Sequence, residues 1–471
     1  MHKNVTIAYK EYVYDIAKYL TEDYRLTLNE EKLRLSVADF YALELSLAKI
    51  NQDRDRTINI TNFLRLSDLQ RMVPVIDWKR YFSILIPHER QYFANDPEVN
   101  ILHGDYMRKL SQVIRRTDPR IVTNYILMKY AMSCDKYMRR VYITAKQRLM
   151  KVWMGKEERP PKWKMCIEKT QETLDVAASA LYSRNHFNEE SKKALKPMIE
   201  IIRRTFNNTL RELEWMDETT KEAAMKKANL IREYIGQNEM VFDDKKLDQY
   251  YSDLNFHSSD SFLSMLIKAR FWQSKSIHAA ILQPPAFHYS FPSSFNFGAM
   301  GMVIGHEIVH AFDDRGSQHN GNGNLEDWWE EKTKGEFGRR KRCFIQQYNN
   351  YTDGVTGLRL NGQLTLGENI ADNGGFKAAY KAFESYMEEN GEDPPLPSFE
   401  YTNRQLFYLG FGQAWCKKSR PEFIRHQIQT ESHSLERYRV DISAQNSESY
   451  AKAFNCPVGS PMNPIHRCSV W

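Results

Sequence analysis

The chain has 471 residues, enough for roughly two to four domains with a sizeable core. Hydrophobic residues make up 42% and aromatic residues 13%, which excludes a disordered chain. Lys and Arg (66) exceed Asp and Glu (60) by six, a surplus too thin to point to nucleic acid, and no apolar run approaches the length of about 18 residues that a membrane-spanning helix needs.

The N-terminal stretch MHKNVTIAYKEYVYDIAKYL interleaves charges and apolar residues at helical spacing. It has no apolar signal-peptide core, so neither a leader nor an anchor is expected in this sequence. Helix follows helix through the first 200 residues. Between about 105 and 150 an apolar residue recurs every three or four positions, with a break at Pro119. MGKEERPPKWK (154–164) is a basic connector whose paired prolines stop a helix. Its Lys and Arg beside Trp163 lack a surrounding recognition module, so it is read as solvated chain rather than a nucleic-acid patch.

Composition shifts near 190–200, which places a domain boundary between a helical unit 1–197 and a second unit 198–471. Ile199, Ile202, Phe206, Leu210 and Leu213 then form one stripe of an amphipathic helix. Asp217 is positioned to cap the next helix, Ala224, Ala228, Ile231 and Ile235 to line its inner face, and Gly236 to end it. Clusters of Gly, Asn and Asp at 312–327 and 352–363 predict loops, with at most a few short strands between helices. The fold class is therefore mainly α, with a minor β component (α+β). Four N-x-[ST] sequons occur, at Asn4, Asn59, Asn207 and Asn350. The six cysteines (Cys134, Cys166, Cys343, Cys416, Cys456 and Cys468) form no CxxC pair and no zinc-ribbon spacing. On spacing alone, staples of a secreted protein and buried thiols stay equally open.

Residues 305–316 read GHEIVHAFDDRG. His306 and His310, four apart on a helix, project from one face and can bind a single Zn2+ through bonds of about 2.0–2.1 Å. Glu307, one step round the helix, can stand beside that ion as a general base without ligating it. The apolar run 299–304 fits a buried helix. Residues 366–375 read LGENIADNGG, which again sets two carboxylates four apart. A catalytic zinc needs three protein ligands and an open position, so Glu368 is the candidate third ligand. Asp372, one turn on, can accept the second N–H of a ligating histidine.

Together these segments resemble the neprilysin/endothelin-converting-enzyme family of zinc metallopeptidases. The resemblance extends to WMDETTKEAAMKKA (215–228), ILQPPAF (281–287), NFGAMGMVIGHE (296–307), NGNLEDWW (322–329), QLFYLGFGQAWC (405–416) and the terminal MNPIHRCSVW. It implies a largely helical, two-lobed ectodomain with an N-terminal lobe over 1–197 and a thermolysin-like catalytic domain over 198–471. It also implies one Zn2+ per chain and a peptide substrate cut on the amino side of hydrophobic residues. Carried over, His306, His310 and Glu368 are the zinc ligands, Glu307 the base and Asp372 the residue that orients a ligand. In TESHSLERYRV, His433 matches the histidine that stabilises the oxyanion, and Arg439 the arginine that binds a substrate carbonyl. The family acts at the cell surface, behind a cytoplasmic tail and one membrane span that this sequence does not contain.

By the same resemblance Cys343 and Cys468 are a disulfide pair. Cys166, Cys416 and Cys456 match cysteines whose partners lie in the stretch not present here, and Cys134 has no counterpart. The family also carries an Asn-Ala-aromatic-Tyr segment ahead of ILQPP, on the strand that pairs with substrate backbone. Here KARFWQSKSIHA (268–279) runs almost directly into 280–285. Loss of that edge removes main-chain hydrogen bonds to an extended peptide, so impaired hydrolysis is expected. Two functions follow: a zinc metalloendopeptidase, or a non-catalytic zinc-containing relative that binds peptides or partners.

Overall fold

A computed structural model describes residues 2–52, 63–86, 89–101, 103–186, 189–231, 239–273, 287–288, 290–397 and 399–471. The chain forms two compact units, Met1–Arg159 and Pro160–Trp471. The break falls at the Pro160–Pro161 pair, earlier than the 197/198 boundary suggested by composition. The reason lies in the helices Lys162–Thr173 and Asp175–His186, which pack inside the second unit. The Ala177 amide donates to the Tyr251 hydroxyl (3.1 Å), and Arg184 pairs with Asp244 (2.7 Å).

In the first unit the helix His2–Asp23 packs on Arg140–Met154, burying Tyr12 and Ile16 against Tyr142, Ala145 and Leu149. Pro119 does not interrupt a helix but begins one, Pro119–Cys134, where its missing N–H costs nothing and Asp118 caps the Arg120 amide. Gly155 ends Arg140–Met154 in the left-handed conformation (φ 64°), a backbone state that glycine adopts without strain. Two three-residue strands, Phe63–Arg65 and Glu98–Asn100, pair antiparallel with Leu64 opposite Val99.

The second unit holds the larger core. In the helix Glu189–Glu212 the predicted stripe is buried through Leu210, with Leu213 packed just beyond. Asp217 accepts from the Thr220 amide (2.8 Å) as the cap of Glu218–Leu230. Ala224 and Ala228 are buried, whereas Ile235 and Gly236 lie outside the described residues. The loops at 312–327 and 352–363 hold single bridges, His319 to Leu325 and Thr352 to Arg359, and the first also a short 3-10 turn, Gly316–Gln318. Cys343 and Cys468 form a disulfide that ties the helix Glu331–Asn349 to the C-terminal segment. Cys134, Cys166, Cys416 and Cys456 are free thiols. Among the described residues no helix is long and apolar enough to cross a membrane. The architecture is mainly α.

Two helices position the site. Ser293–Asn296 leads through a π-helical turn, Phe297–Gly301, into Met302–His310. That helix crosses Leu366–Asn390 at Gly305 and Gly375. A Cβ on Gly375 would stand 2.3 Å from the His306 nitrogen, and one on Gly305 would stand 2.6 Å from the Gly375 carbonyl oxygen. Only backbone touching backbone brings the Glu368 and Asp372 face, one to two turns upstream, onto the two histidines.

Candidate metal centre

His306, His310 and Glu368 come together as the two motifs predict. Their ligand atoms all lie within 4.8 Å of one another. The Nε2 atoms of His306 and His310 are 2.9 Å apart, and Glu368 Oε2 lies 3.3 Å and 3.5 Å from them. Tetrahedral zinc with bonds of this class would set its ligand atoms about 3.3 Å apart.

The outer partners explain why these atoms face inward. His306 Nδ1 lies 2.9 Å from Asp372 Oδ1, and His310 Nδ1 lies 2.7 Å from Asp313 Oδ2. His310 thus has its Nδ1 hydrogen-bonded to a carboxylate, His306 Nδ1 lies beside one without an aligned hydrogen bond, and both rings place Nε2 at the centre. The buried Glu368 Oε2 makes no aligned hydrogen bond there. Two lone pairs and an anion converging on one point require positive charge, so the donor set fits a divalent cation.

The electrostatics agree. Burial disfavours the charged form of His310, but the Asp313 and Glu368 carboxylates outweigh it and hold the imidazole up to about 10. His306 is raised for the same reason, with Asp372 and Glu368 overcoming burial. Burial would push Glu368 up, yet the His306 and His310 imidazoles beside it, together with His433, hold it well below the usual carboxylate range. Protons collect where a cation is favoured, so metal binding must displace them.

Asp372 is fully buried (0%) and Arg439 nearly so (4%). The guanidinium forks onto the carboxylate, Nε to Oδ2 at 2.7 Å and Nη2 to Oδ1 at 2.6 Å, while its plane lies 3.8 Å from the centroid of Trp415. Burial alone would raise Asp372; Arg439 and His306 hold it below its ordinary value. Arg439 therefore spends two of its five donors on Asp372. His433 stands in the loop between Pro421–Thr430 and Glu436–Gln445, with Nε2 3.2 Å from Glu368 Oε2. Glu307 is exposed on the same helix as the histidines, open to water.

Asp313 is the site residue that motif spacing passed over. It serves His310 as Asp372 serves His306, and its position three residues after His310 was the available signal. Its other oxygen accepts from the amides of Arg315 (2.8 Å) and Gly316 (2.6 Å). The buried ammonium of Lys227 then clamps this loop through the carbonyls of Gly316 (2.6 Å) and His319 (2.5 Å). Burial, partly offset by Asp313, pushes Lys227 down to about 8.

Comparison with known proteins gives the same family as the motifs. Models of peptidase family M13 match residues 1–238 and 272–470. Neprilysin-11 of Caenorhabditis elegans is 36% identical over 98% of this chain and 59% of its own length. An endothelin-converting enzyme homolog of Locusta migratoria is 33% identical over 100% of the chain and 69% of its own. The chain thus spans somewhat over half to two thirds of these relatives. The zinc metalloprotease Zmp1 of Mycobacterium tuberculosis, solved with an inhibitor, shares the fold at a TM-score of 0.78 and 21% identity, covering 100% of this chain and 75% of that one. With both halves matched and full-length relatives at a third identity, the chain belongs to peptidase family M13.

Proposed function

We propose that this chain is a zinc-dependent metalloendopeptidase acting on small peptides, with His306, His310 and Glu368 holding one Zn2+. The carrying observation is the convergence of two imidazole Nε2 atoms and Glu368 Oε2, each imidazole backed by its own aspartate. Bound there, zinc would supply Lewis acidity towards a peptide carbonyl and lower the pKa of water. Glu307 takes the proton of the attacking water and returns it to the leaving amine. His433, 3.2 Å from Glu368, donates from Nε2 to the oxygen on which charge develops. Arg439 offers a remaining donor to a substrate carbonyl while Nε and Nη2 hold Asp372, and Asp372 and Asp313 keep the histidines oriented.

Cleavage on the amino side of hydrophobic residues and an extracellular place of action follow from the family resemblance, and the Cys343–Cys468 disulfide fits an oxidising compartment. The short sequence 268–285 favours a second reading, zinc binding with weak or no hydrolysis, because it lacks the peptide-pairing segment of the family. Residues 274–286 lie outside those described. A fluorogenic-peptide assay with parallel zinc analysis separates the readings. Turnover abolished by a chelator and reduced at least about 100-fold by Glu307→Gln, with zinc retained, supports the peptidase. Zinc near one per chain without turnover supports the second.

A further inference from the structure

The loop that carries His433 is held at its ends, by the Glu431 amide on the Gln427 carbonyl (3.0 Å) and by Leu435, buried in the core, but His433 itself is not. The His433 side chain is 47% exposed, and among the described residues its Nδ1 meets only the neighbouring Ser432 hydroxyl, at 3.5 Å. The next residue is different. Ser434 is buried, and its hydroxyl donates to Asn369 Oδ1 at 2.8 Å, on the helix that carries Glu368. Asn369 is itself fully buried and directly follows Glu368 in the chain.

The direction of this bond is fixed by the groups behind it. The Thr365 hydroxyl donates to the Asn361 carbonyl (3.0 Å), which leaves Thr365 Oγ1 to accept from Asn369 Nδ2 (2.8 Å). The Asn369 amide is therefore oriented with its oxygen towards Ser434, and Ser434 must be the donor. One relay thus runs from the exposed Asn361 through Thr365, at the start of the helix, to the buried Asn369, and crosses once to the loop. The crossing point is next to both Glu368 and His433, whose side chains stand 3.2 Å apart.

We propose that Asn369 and Ser434 are positioning residues for hydrolysis, their hydrogen bond holding the His433 imidazole over the Glu368 side of the metal centre. This rests on the peptidase reading above, in which His433 acts on developing charge. A donor that works only in the transition state must be held in place beforehand, and a displacement of about 1 Å suffices to cost orders of magnitude in rate.

The test compares Ser434→Ala, Ser434→Val and Ser434→Thr in the full chain. Val and Thr have the same shape and differ by one hydroxyl, so the pair stays informative if the alanine variant folds poorly. Ala and Val should lower kcat about tenfold or more with KM little changed, while Thr rescues it. Zinc content should equal that of the parent chain, and Ser434→Ala should add nothing in a His433→Ala background. Independently of turnover, amide hydrogen exchange across 431–435 should quicken in Ala and Val but not in Thr. Unchanged exchange in the valine variant overturns the proposal, as does a rate loss that persists without His433 or that follows loss of zinc. If the parent chain shows no chelator-sensitive turnover, the peptidase reading fails, and the exchange comparison alone still decides whether Ser434 anchors the loop.

Discussion

Asp372 answers to two masters at the residue scale. It lies against His306 and takes the full fork of Arg439, all three within a buried cluster. Asp372→Asn keeps the shape but removes the charge that both partners need. Zinc affinity is expected to fall about 10–100-fold, as for other groups that orient ligating histidines. Stability should fall as well, by about 3–5 kcal/mol, because the Arg439 charge is left buried without its counterion. A competitive chelator titration and thermal unfolding of the metal-free protein measure the two effects separately. Equal zinc affinity in the variant and the parent would deny Asp372 its role. At this same scale His306, His310 and Glu368 were legible in the sequence, because a spacing of four on a helix is itself a statement about which side chains share a face. The roles proposed for His433 and Arg439 rest on the family resemblance, not on any local pattern. Nothing in TESHSLERYRV taken alone separates an oxyanion donor from an ordinary charged turn.

At the scale of elements, the site depends on how closely two helices can approach. Gly305 and Gly375 touch through their backbones, and this contact carries Glu368 to the histidines. A methyl at Gly375 meets the main chain of His306, which cannot rotate away as a side chain could. Gly375→Ala should therefore push the helices apart, cost about 1–3 kcal/mol in unfolding free energy and weaken zinc binding. Unaltered zinc affinity in a folded Gly375→Ala protein would separate the crossing from the site. The sequence shows the glycines but not their purpose, since a close approach involves a residue 70 positions away in the chain. The helical stripe at 199–210 and the Asp217 cap were readable because both are local patterns. Asp313 is less so: its partner His310 is near in sequence, but the turn that aims it depends on the loop clamped by Lys227. The relay from Asn361 to Ser434 is a tertiary fact that no periodicity encodes.

For the molecule as a whole, every residue of the proposed centre belongs to Pro160–Trp471. Within that unit the C-terminal Trp471 packs among Phe206, Trp215, Phe312 and Phe337, and the Cys343–Cys468 bridge fastens the same segment. The metal helix is thus backed by aromatic side chains from both ends of the unit's sequence, a rigid support for ligands that must meet at one ion. The most direct test is anomalous diffraction at the zinc edge from crystals of the full chain purified with zinc. A single strong peak is expected, bonded to His306 Nε2, His310 Nε2 and a Glu368 oxygen at about 2.0–2.2 Å. Zinc bound elsewhere, or no zinc at these three side chains under saturating metal, would contradict it.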